Sequence, residues 1–186
     1  MRAASVAALT AAFLALPVAH AGELKGVKMD DAITVNAKAL KLNGLGLRTK
    51  VVFKVYVGGL YLEAPTKDAA QVIATDQTKR VVMAVLRDLD KKTVVEAIYK
   101  GFEKNAADQM AALKDRLEKF TAQIPDLKEG ERLTITYTPA KGTVLTDSAG
   151  REIAIEGKDF SEAMFSVWFG KFPVDEDLKK GMLGAE

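Results

Sequence analysis

The segment from Leu42 to Glu63, LNGLGLRTKVVFKVYVGGLYLE, places one arginine and two tyrosines within an apolar run that contains four glycines. Its alternating and β-branched residues predict extended structure, in which successive side chains point to opposite faces. One face is then expected to carry Val51, Phe53, Val55 and Val57, and the other Val52, Lys54 and Tyr56. Because a few polar groups beside an apolar surface are typical of a small-ligand site, Arg48, Tyr56 and Tyr61 become candidate polar groups of a pocket wall.

The first 21 residues have the pattern of a secretory signal peptide. Arg2 precedes an apolar run over residues 3–18, and Ala19-His20-Ala21 supplies the small residues of a cleavage site. The run is shorter than the ~20 strongly apolar residues that span a bilayer, and the chain has no cysteine for a lipid anchor. We therefore predict a signal peptide over residues 1–21, a periplasmic or secreted product, and no stable membrane anchor after cleavage.

Cleavage after Ala21 would also remove His20, the only histidine of the chain. A mature chain without histidine or cysteine has no catalytic triad, no thiol nucleophile and no imidazole or thiolate ligand for zinc. The acidic residues 88, 90 and 175–177 lack the spacing of a calcium loop. Gly44 and Gly46 lack the third glycine of a dinucleotide loop and are predicted to be turn residues. We predict no metal and no cofactor.

The charges of the chain give no sign of a nucleic-acid partner. The formal net charge is +2, and no run of basic residues with interleaved aromatic residues is present. The scattered charges indicate solvated faces. The sequence leaves the oligomeric state open.

Residues 22–186 are predicted to form one α+β domain, an antiparallel sheet with helices packed on one side. Strands are predicted at residues 33–35, 39–42, through the long run that ends at residue 63, at 80–87 and 133–137, and around Val144 and Ile153. Asn43-Gly44 is expected to form a turn before the long run, whose register would depend on a bulge near Gly58-Gly59.

The middle of the chain has the period of a helix. The spacing of apolar residues from about residue 92 to residue 120 predicts two amphipathic helices with a break near Asn105. A nearly apolar stretch over residues 160–169, opened by a capping box of Asp159 and Glu162, predicts a buried helix. Short helices are expected over residues 68–74 and after Asp175.

Several longer motifs follow one another along the chain. They are GLR at residues 46–48, FKVYVGGLYLE at 53–63, RVVMAVLRDL at 80–89, the two middle helices, LTITYTP at 133–139 and FSEAMFSVWFG at 160–170. This ordered set resembles the chalcone isomerase superfamily, specifically its bacterial chalcone isomerase-like branch. The resemblance implies an open-faced β-sandwich, in which a layer of helices covers a large antiparallel sheet and a ligand cleft lies between them.

The resemblance also implies roles for particular residues, because the superfamily includes flavonoid isomerases and non-catalytic fatty-acid-binding members. Arg48 matches the family arginine that holds the anionic oxygen of the ligand. Tyr56 matches a position where a tyrosine of the fatty-acid binders helps to hold the carboxylate, and Tyr61 resembles a fold-supporting residue. Thr93 and Trp168 complete the predicted ligand-binding set, as residues of helices that would face the cleft.

The helix after the central strand departs from true isomerases, which carry a Tyr-x-x-Lys-x-x-x-Asn set there. Aligned on the strand, this chain has Thr93, Glu96 and Lys100 at or near those positions. In the late helix, a substrate-facing hydroxyl position falls near Val167, adjacent to Ser166. The resemblance therefore assigns no catalytic residue, and Tyr56 and Glu96 are the candidates if a reaction is catalysed.

The leading interpretation is an exported, non-catalytic protein that binds a fatty acid or a similar small amphipathic carboxylate. One alternative is an isomerase or intramolecular lyase for an anionic substrate, with Arg48 stabilising charge and Tyr56 or Glu96 transferring a proton. Another is a partner-binding module with a vestigial cleft. From the residues alone, Arg48 could equally be a strand arginine whose stem covers apolar surface, and Trp168 a core residue.

Overall fold

The computed structural model describes residues 22–185, so the predicted signal peptide lies outside the described residues. The strands are β1 (Gly22–Leu24), β2 (Val27–Met29), β3 (Ala32–Val35), β4 (Lys38–Lys50), β5 (Phe53–Leu62), β6 (Lys79–Val85), β7 (Arg132–Thr138), β8 (Gly142–Thr146) and β9 (Glu152–Ile155). The helices are α1 (Ala69–Ala74), α2 (Lys91–Asn105), α3 (Met110–Ala122), α4 (Lys158–Phe169) and α5 (Glu176–Met182). Within this part of the chain, no helix combines the length and the apolar character needed to cross a membrane.

Strands β3 to β9 form one antiparallel sheet, in which each strand pairs with its neighbours in the sequence. β6 is the middle strand of the seven, and its residues 81–85 are buried on both faces of the sheet, as their continuous apolar character predicts. The helices pack on one face, and the β1–β2 hairpin packs on the other. The predicted α+β class, with an antiparallel sheet and helices on one side, is confirmed.

Two apolar cores lie on opposite faces of the sheet. The larger core joins the helix-facing side chains of the sheet to the helices, and the smaller core lies beneath the β1–β2 hairpin. Tyr61 belongs to the smaller core, where its hydroxyl donates a hydrogen bond of 2.8 Å to the carbonyl oxygen of Asp30. Burial raises the pKa of Tyr61 to about 12. Tyr61 therefore supports the back of the sheet and does not face the helices.

The segment over residues 42–63 is two strands rather than one long run. β4 and β5 are joined by a tight turn at Val51 and Val52. Asn43-Gly44, predicted to be a turn, lies inside β4 at a shift in the register. The turn prediction for Asn43-Gly44 is wrong. The sequence favoured this pair because Asn-Gly is the usual signal of a tight hairpin, whereas the valine pair that forms the turn carries no such signal.

A second register shift follows Arg48 and leaves Val55 without a partner across the hairpin. This bulge lets two consecutive residues of β5, Val55 and Tyr56, both join the helix-facing core. The predicted strict alternation therefore holds only from Tyr56 onward. The bulge lies at this position and not near Gly58-Gly59.

Helix α5 approaches β4 at glycines. A Cβ atom on Gly46 would meet the backbone of Leu178, and one on Gly44 would meet the carbonyl oxygen of Gly181. The missing side chains therefore let the helix backbone lie directly against the strand. The predicted turn role of Gly44 and Gly46 is wrong, because their neighbours come from a distant part of the chain.

The other helices largely follow their sequence signals. α2 and α3 occupy the predicted region with a 3₁₀ turn between them, and Asp175 caps α5 by accepting the backbone N–H of Leu178 at 2.9 Å. α4 differs at its start, where Gly157 is the N-cap residue and Asp159 forms hydrogen bonds with Arg116 of α3. The predicted capping box of Asp159 and Glu162 is wrong, because another helix supplies the partner of the carboxylate.

The Gly46→Val variant is expected to lose about 3 kcal/mol of stability or more, at the upper end of overpacking effects. The added side chain must push α5 away from β4, although strand propensity alone would predict stabilisation. The measurement is urea unfolding followed by circular dichroism. The control is Gly150→Ala, at an open turn position with a φ of 77°, which should cost about 1–2 kcal/mol through its backbone conformation. A Gly46→Val variant as stable as the wild type would contradict the close contact.

Candidate ligand-binding site

A cavity of about 390 Å³ lies between the sheet and the helices. Strands β5 to β8 form its floor, and α2 and α4 form most of its roof. The floor residues are Val55, Met83, Leu133, Ile135 and Leu145, and the main roof residues are Val94, Ala97, Ile98, Val167 and Trp168. The interior is therefore almost entirely aliphatic and aromatic.

The periods of the strands and helices explain this apolar interior. Met83 pairs with Leu133, and Ile135 pairs with Leu145, and directly opposite residues of antiparallel strands share a face. Residues 94 and 98 of α2 are four positions apart and lie on one side of the helix. The apolar residues on one face of the strands thus lie opposite the apolar residues on one side of α2.

The polar groups of the cavity gather where β4 and β5 pair. Arg48 and Tyr56 are directly opposite each other across the hairpin. The guanidinium carbon of Arg48 lies 5.6 Å from the centroid of the Tyr56 ring, a cation–π distance. The indole Nε1 of Trp168 donates a hydrogen bond of 3.0 Å to the Tyr56 hydroxyl. The three side chains form a connected group that runs from β4 through β5 to α4.

The Tyr56 hydroxyl is buried and neutral. Tyr56 is 1% exposed, and burial raises its pKa above the ordinary value of 10.0, although the charge of Arg48 and the hydrogen bond from Trp168 act in the opposite direction. The hydroxyl oxygen accepts from Trp168, and no residue among 22–185 accepts the hydroxyl proton. That proton is available to a ligand in the cavity.

Arg48 is half-buried and lines the cavity. It forms no salt bridge with any residue that the structure describes. Asp175, which follows the cavity residue Val174, is engaged elsewhere, since it accepts the backbone N–H groups of Thr49 and Leu178. A guanidinium without a salt bridge can offer its planar fork to an external carboxylate.

The mouth of the cavity is formed by Lys50, Val51, Phe53, Arg87, Asp88 and Asp90. Asp88 pairs with Lys128 at 2.9 Å. Asp90 accepts hydrogen bonds from the backbone N–H and the hydroxyl of Thr93 at the start of α2. In the described segment, no group of three or more potential metal ligands comes together. Both carboxylates of the mouth thus have bonded partners within the described structure.

The structure brings the four predicted ligand-binding residues, Arg48, Tyr56, Thr93 and Trp168, around this one cavity. It does not bring Glu96 there, because Glu96 is exposed on the outer side of α2, 4.0 Å from Lys92. In α4, Val167 lines the cavity, whereas the hydroxyl of Ser166 donates to the carbonyl oxygen of Ala163 at 2.6 Å.

Sequence reasoning did not assign any residue of the mouth to the ligand site, Arg87 and Phe53 among them. The predicted strand over residues 80–87 includes Arg87, but β6 ends at Val85 and Arg87 lies in the loop before α2. A charged residue just past a buried strand could have indicated this position, since loops at strand ends often carry binding residues. No local pattern indicates Phe53, whose position depends on the turn and the bulge.

Comparisons with known proteins agree with this architecture. The sequence profile of a family described as chalcone isomerase-like matches residues 21–184. The crystal structure of a fatty-acid binding protein from Arabidopsis thaliana is similar, with a TM-score of 0.68 and 13% sequence identity, over 88% of this chain and 96% of that chain. No curated protein sequence matches significantly. At this identity the structural likeness shows the fold, and the predicted open-faced sandwich is confirmed.

The Tyr56→Phe variant is expected to lose about 1–3 kcal/mol of stability, because it leaves the buried N–H of Trp168 without an acceptor. In the double variant with Trp168→Phe, neither partner remains unsatisfied. The loss in the double variant should therefore be smaller than the sum of the single losses by about 1 kcal/mol. The measurement is urea unfolding at neutral pH. Additive losses would show that the hydrogen bond does not couple the two side chains.

Proposed function

This chain belongs to the chalcone isomerase-like family, and we propose that it is a binding protein for a small amphipathic carboxylate, with a fatty acid as the leading candidate. Arg48 pairs with the carboxylate, the Tyr56 hydroxyl donates a second hydrogen bond, and the apolar cavity holds the hydrocarbon chain. In this proposal the ligand is bound and not transformed.

One observation carries the proposal: a guanidinium without a salt bridge and a hydroxyl proton without an acceptor, among the described residues, lie together at an apolar cavity. Arg48 has no salt bridge and the Tyr56 proton no acceptor among residues 22–185. A carboxylate accepts hydrogen bonds from both groups at once. Because Tyr56 is buried, these bonds would form in a region of low dielectric constant, where they are stronger than in water.

The rest of the cavity suits a hydrocarbon chain. Its volume of about 390 Å³ falls within the range of about 300–1,000 Å³ for small-ligand sites. Each buried methylene contributes about 0.8 kcal/mol, so an alkyl chain in this interior contributes more binding free energy than the headgroup. The similar Arabidopsis protein binds fatty acids, which supports the proposed class of ligand.

The enzymatic alternative has less support. Of its two candidate proton-transfer groups, Glu96 lies on the outer side of α2, away from the cavity. Tyr56 has a raised pKa and accepts a hydrogen bond from Trp168, which suits a neutral donor better than a general base. A partner-binding module with a vestigial cleft also has less support, because the cavity is not filled by side chains.

Export is a further part of the proposal and rests on the signal-peptide pattern of residues 1–21. The mass of the mature protein tests this part, since a chain that still begins at Met1 would contradict it.

The headgroup contact can be tested through Trp168, the sole tryptophan, which lines the cavity and reports its occupancy by fluorescence. Palmitate and its uncharged methyl ester are titrated into each variant. Arg48→Met should weaken palmitate binding by about tenfold or more, the value of a hydrogen bond to a charged group. The same substitution should barely change the affinity for the methyl ester. Arg132→Met is the matched control, an exposed arginine at the start of β7 that does not line the cavity, and should leave the preference for the acid in place.

The length of the ligand tests the cavity itself. Affinity should rise by about fourfold with each added methylene, from octanoate upward, until the cavity is full. Absence of any fatty acid in organic extracts, together with no fluorescence response to added acids, would overturn the proposal. Turnover of a chalcone or related enone that is lost in Tyr56→Phe would establish the enzymatic alternative.

A further inference from the structure

The turn between β4 and β5 presents three consecutive apolar side chains to solvent, which we call the hydrophobic tip. Val51 is 87% exposed, Val52 78% and Phe53 56%. The other exposed large hydrophobic residue of the described chain, Phe172, is isolated from them in the sequence. Contiguous apolar residues on a surface mark sites of interaction.

The needs of the fold do not explain this tip. Two-residue hairpin turns favour asparagine and glycine. Val51 instead has a φ of 59°, in the left-handed region that β-branched residues rarely adopt. The chain therefore keeps valines here at a cost in local stability, which points to a function outside the fold.

Basic side chains surround the hydrophobic tip. Lys50 and Lys54 flank it and are exposed, and the guanidinium carbon of Arg87 lies 4.6 Å from the centroid of the Phe53 ring. None of the three basic residues forms a salt bridge within residues 22–185. The nearby carboxylate of Asp88 is paired with Lys128. Asp90, the other carboxylate of the mouth, accepts hydrogen bonds from Thr93. Among the described residues beside the tip, the charged side chains without a bonded partner are therefore basic.

We propose that the hydrophobic tip docks this protein reversibly on anionic lipid bilayers. Val51, Val52 and Phe53 enter the boundary between headgroups and acyl chains, and the basic residues contact lipid phosphates. The arrangement matches both parts of such a surface, because an anionic bilayer is negative at the headgroups and apolar just beneath them.

Docking in this way turns the mouth of the cavity toward the bilayer. Val51, Phe53 and Arg87 belong both to the tip region and to the mouth. A ligand that leaves or enters the lipid would then have a short path to the interior. The docking proposal does not rest on the proposed function, because it concerns the outer surface of the hairpin and needs no ligand in the cavity.

The test is sedimentation with vesicles of phosphatidylcholine alone or mixed with phosphatidylglycerol. Every variant is expressed from the full chain and compared as purified, so any contribution of the N-terminal residues is common to all. We expect the wild type to sediment with the mixed vesicles and only weakly with the neutral ones. Replacing Val51 and Val52 together by serine should weaken binding by about tenfold or more. Phe172→Ser is the matched control and should leave vesicle binding unchanged.

Charge is tested separately, with a substitution that leaves the turn intact. Lys54→Gln should weaken binding to the mixed vesicles by about fivefold, the contribution of one basic residue near an anionic surface. Lys141→Gln, at an exposed position in the β7–β8 turn at the opposite end of the sheet, should have no effect. Added salt should weaken the binding of the wild type to the mixed vesicles.

Two results would overturn the proposal: a wild type that does not sediment with the mixed vesicles, or a double-serine variant that sediments as well as the wild type. Palmitate binding, measured through Trp168 without vesicles, separates this proposal from the function of the cavity. A double-serine variant that loses vesicle binding and keeps palmitate binding would support docking through the tip, independently of the cavity. Vesicle binding without palmitate binding supports docking and counts against the proposed ligand.

Discussion

Arg48 and Tyr56 face each other across the β4–β5 hairpin, and the bulge at Val55 decides which side chains join them. In a regular strand successive side chains alternate, so Val55 would turn to the back of the sheet when Tyr56 faces the helices. The bulge instead puts both residues in the helix-facing core, and Phe53 lines the mouth. The single unpaired residue, Val55, thus places an apolar surface beside the polar pair of Arg48 and Tyr56.

Packing from two helices holds this pair in place. Trp168 of α4 donates to the Tyr56 hydroxyl, which fixes the ring and leaves one proton to offer. α5 lies against β4 because Gly46 has no side chain, and its cap residue Asp175 bonds the backbone beside Arg48. Donors that are already in position lose little freedom when a ligand arrives, so the rigid surroundings matter as much as the charge.

Local patterns predicted the features that local physics determines: most strands of the large sheet, the two middle helices and the class of the fold. They failed where distant segments decide, as in the close contact at Gly46 and the ion pair that takes Asp159 away from its helix start. They also failed at the turn at Val51-Val52, where the local sequence carries no turn signal. Four residues around the cavity were named in advance: a family resemblance supplied the roles of Arg48 and Tyr56, and Thr93 and Trp168 came from their positions on predicted helices. Arg87 was not among them, because the predicted strand over residues 80–87 runs past the end of β6 at Val85.

The order of the strands also bears on how the molecule assembles. Each strand of the large sheet pairs with its neighbour in the chain, and contacts between segments close in sequence need little loop-closure entropy and favour rapid folding. The longest connection is the one between β6 and β7, which contains α2 and α3. Met83 and Leu133 meet across that junction. The floor of the cavity is therefore completed by the pairing of β6 with β7, the two neighbouring strands of the large sheet that the longest connection separates and whose pairing has the largest loop-closure cost.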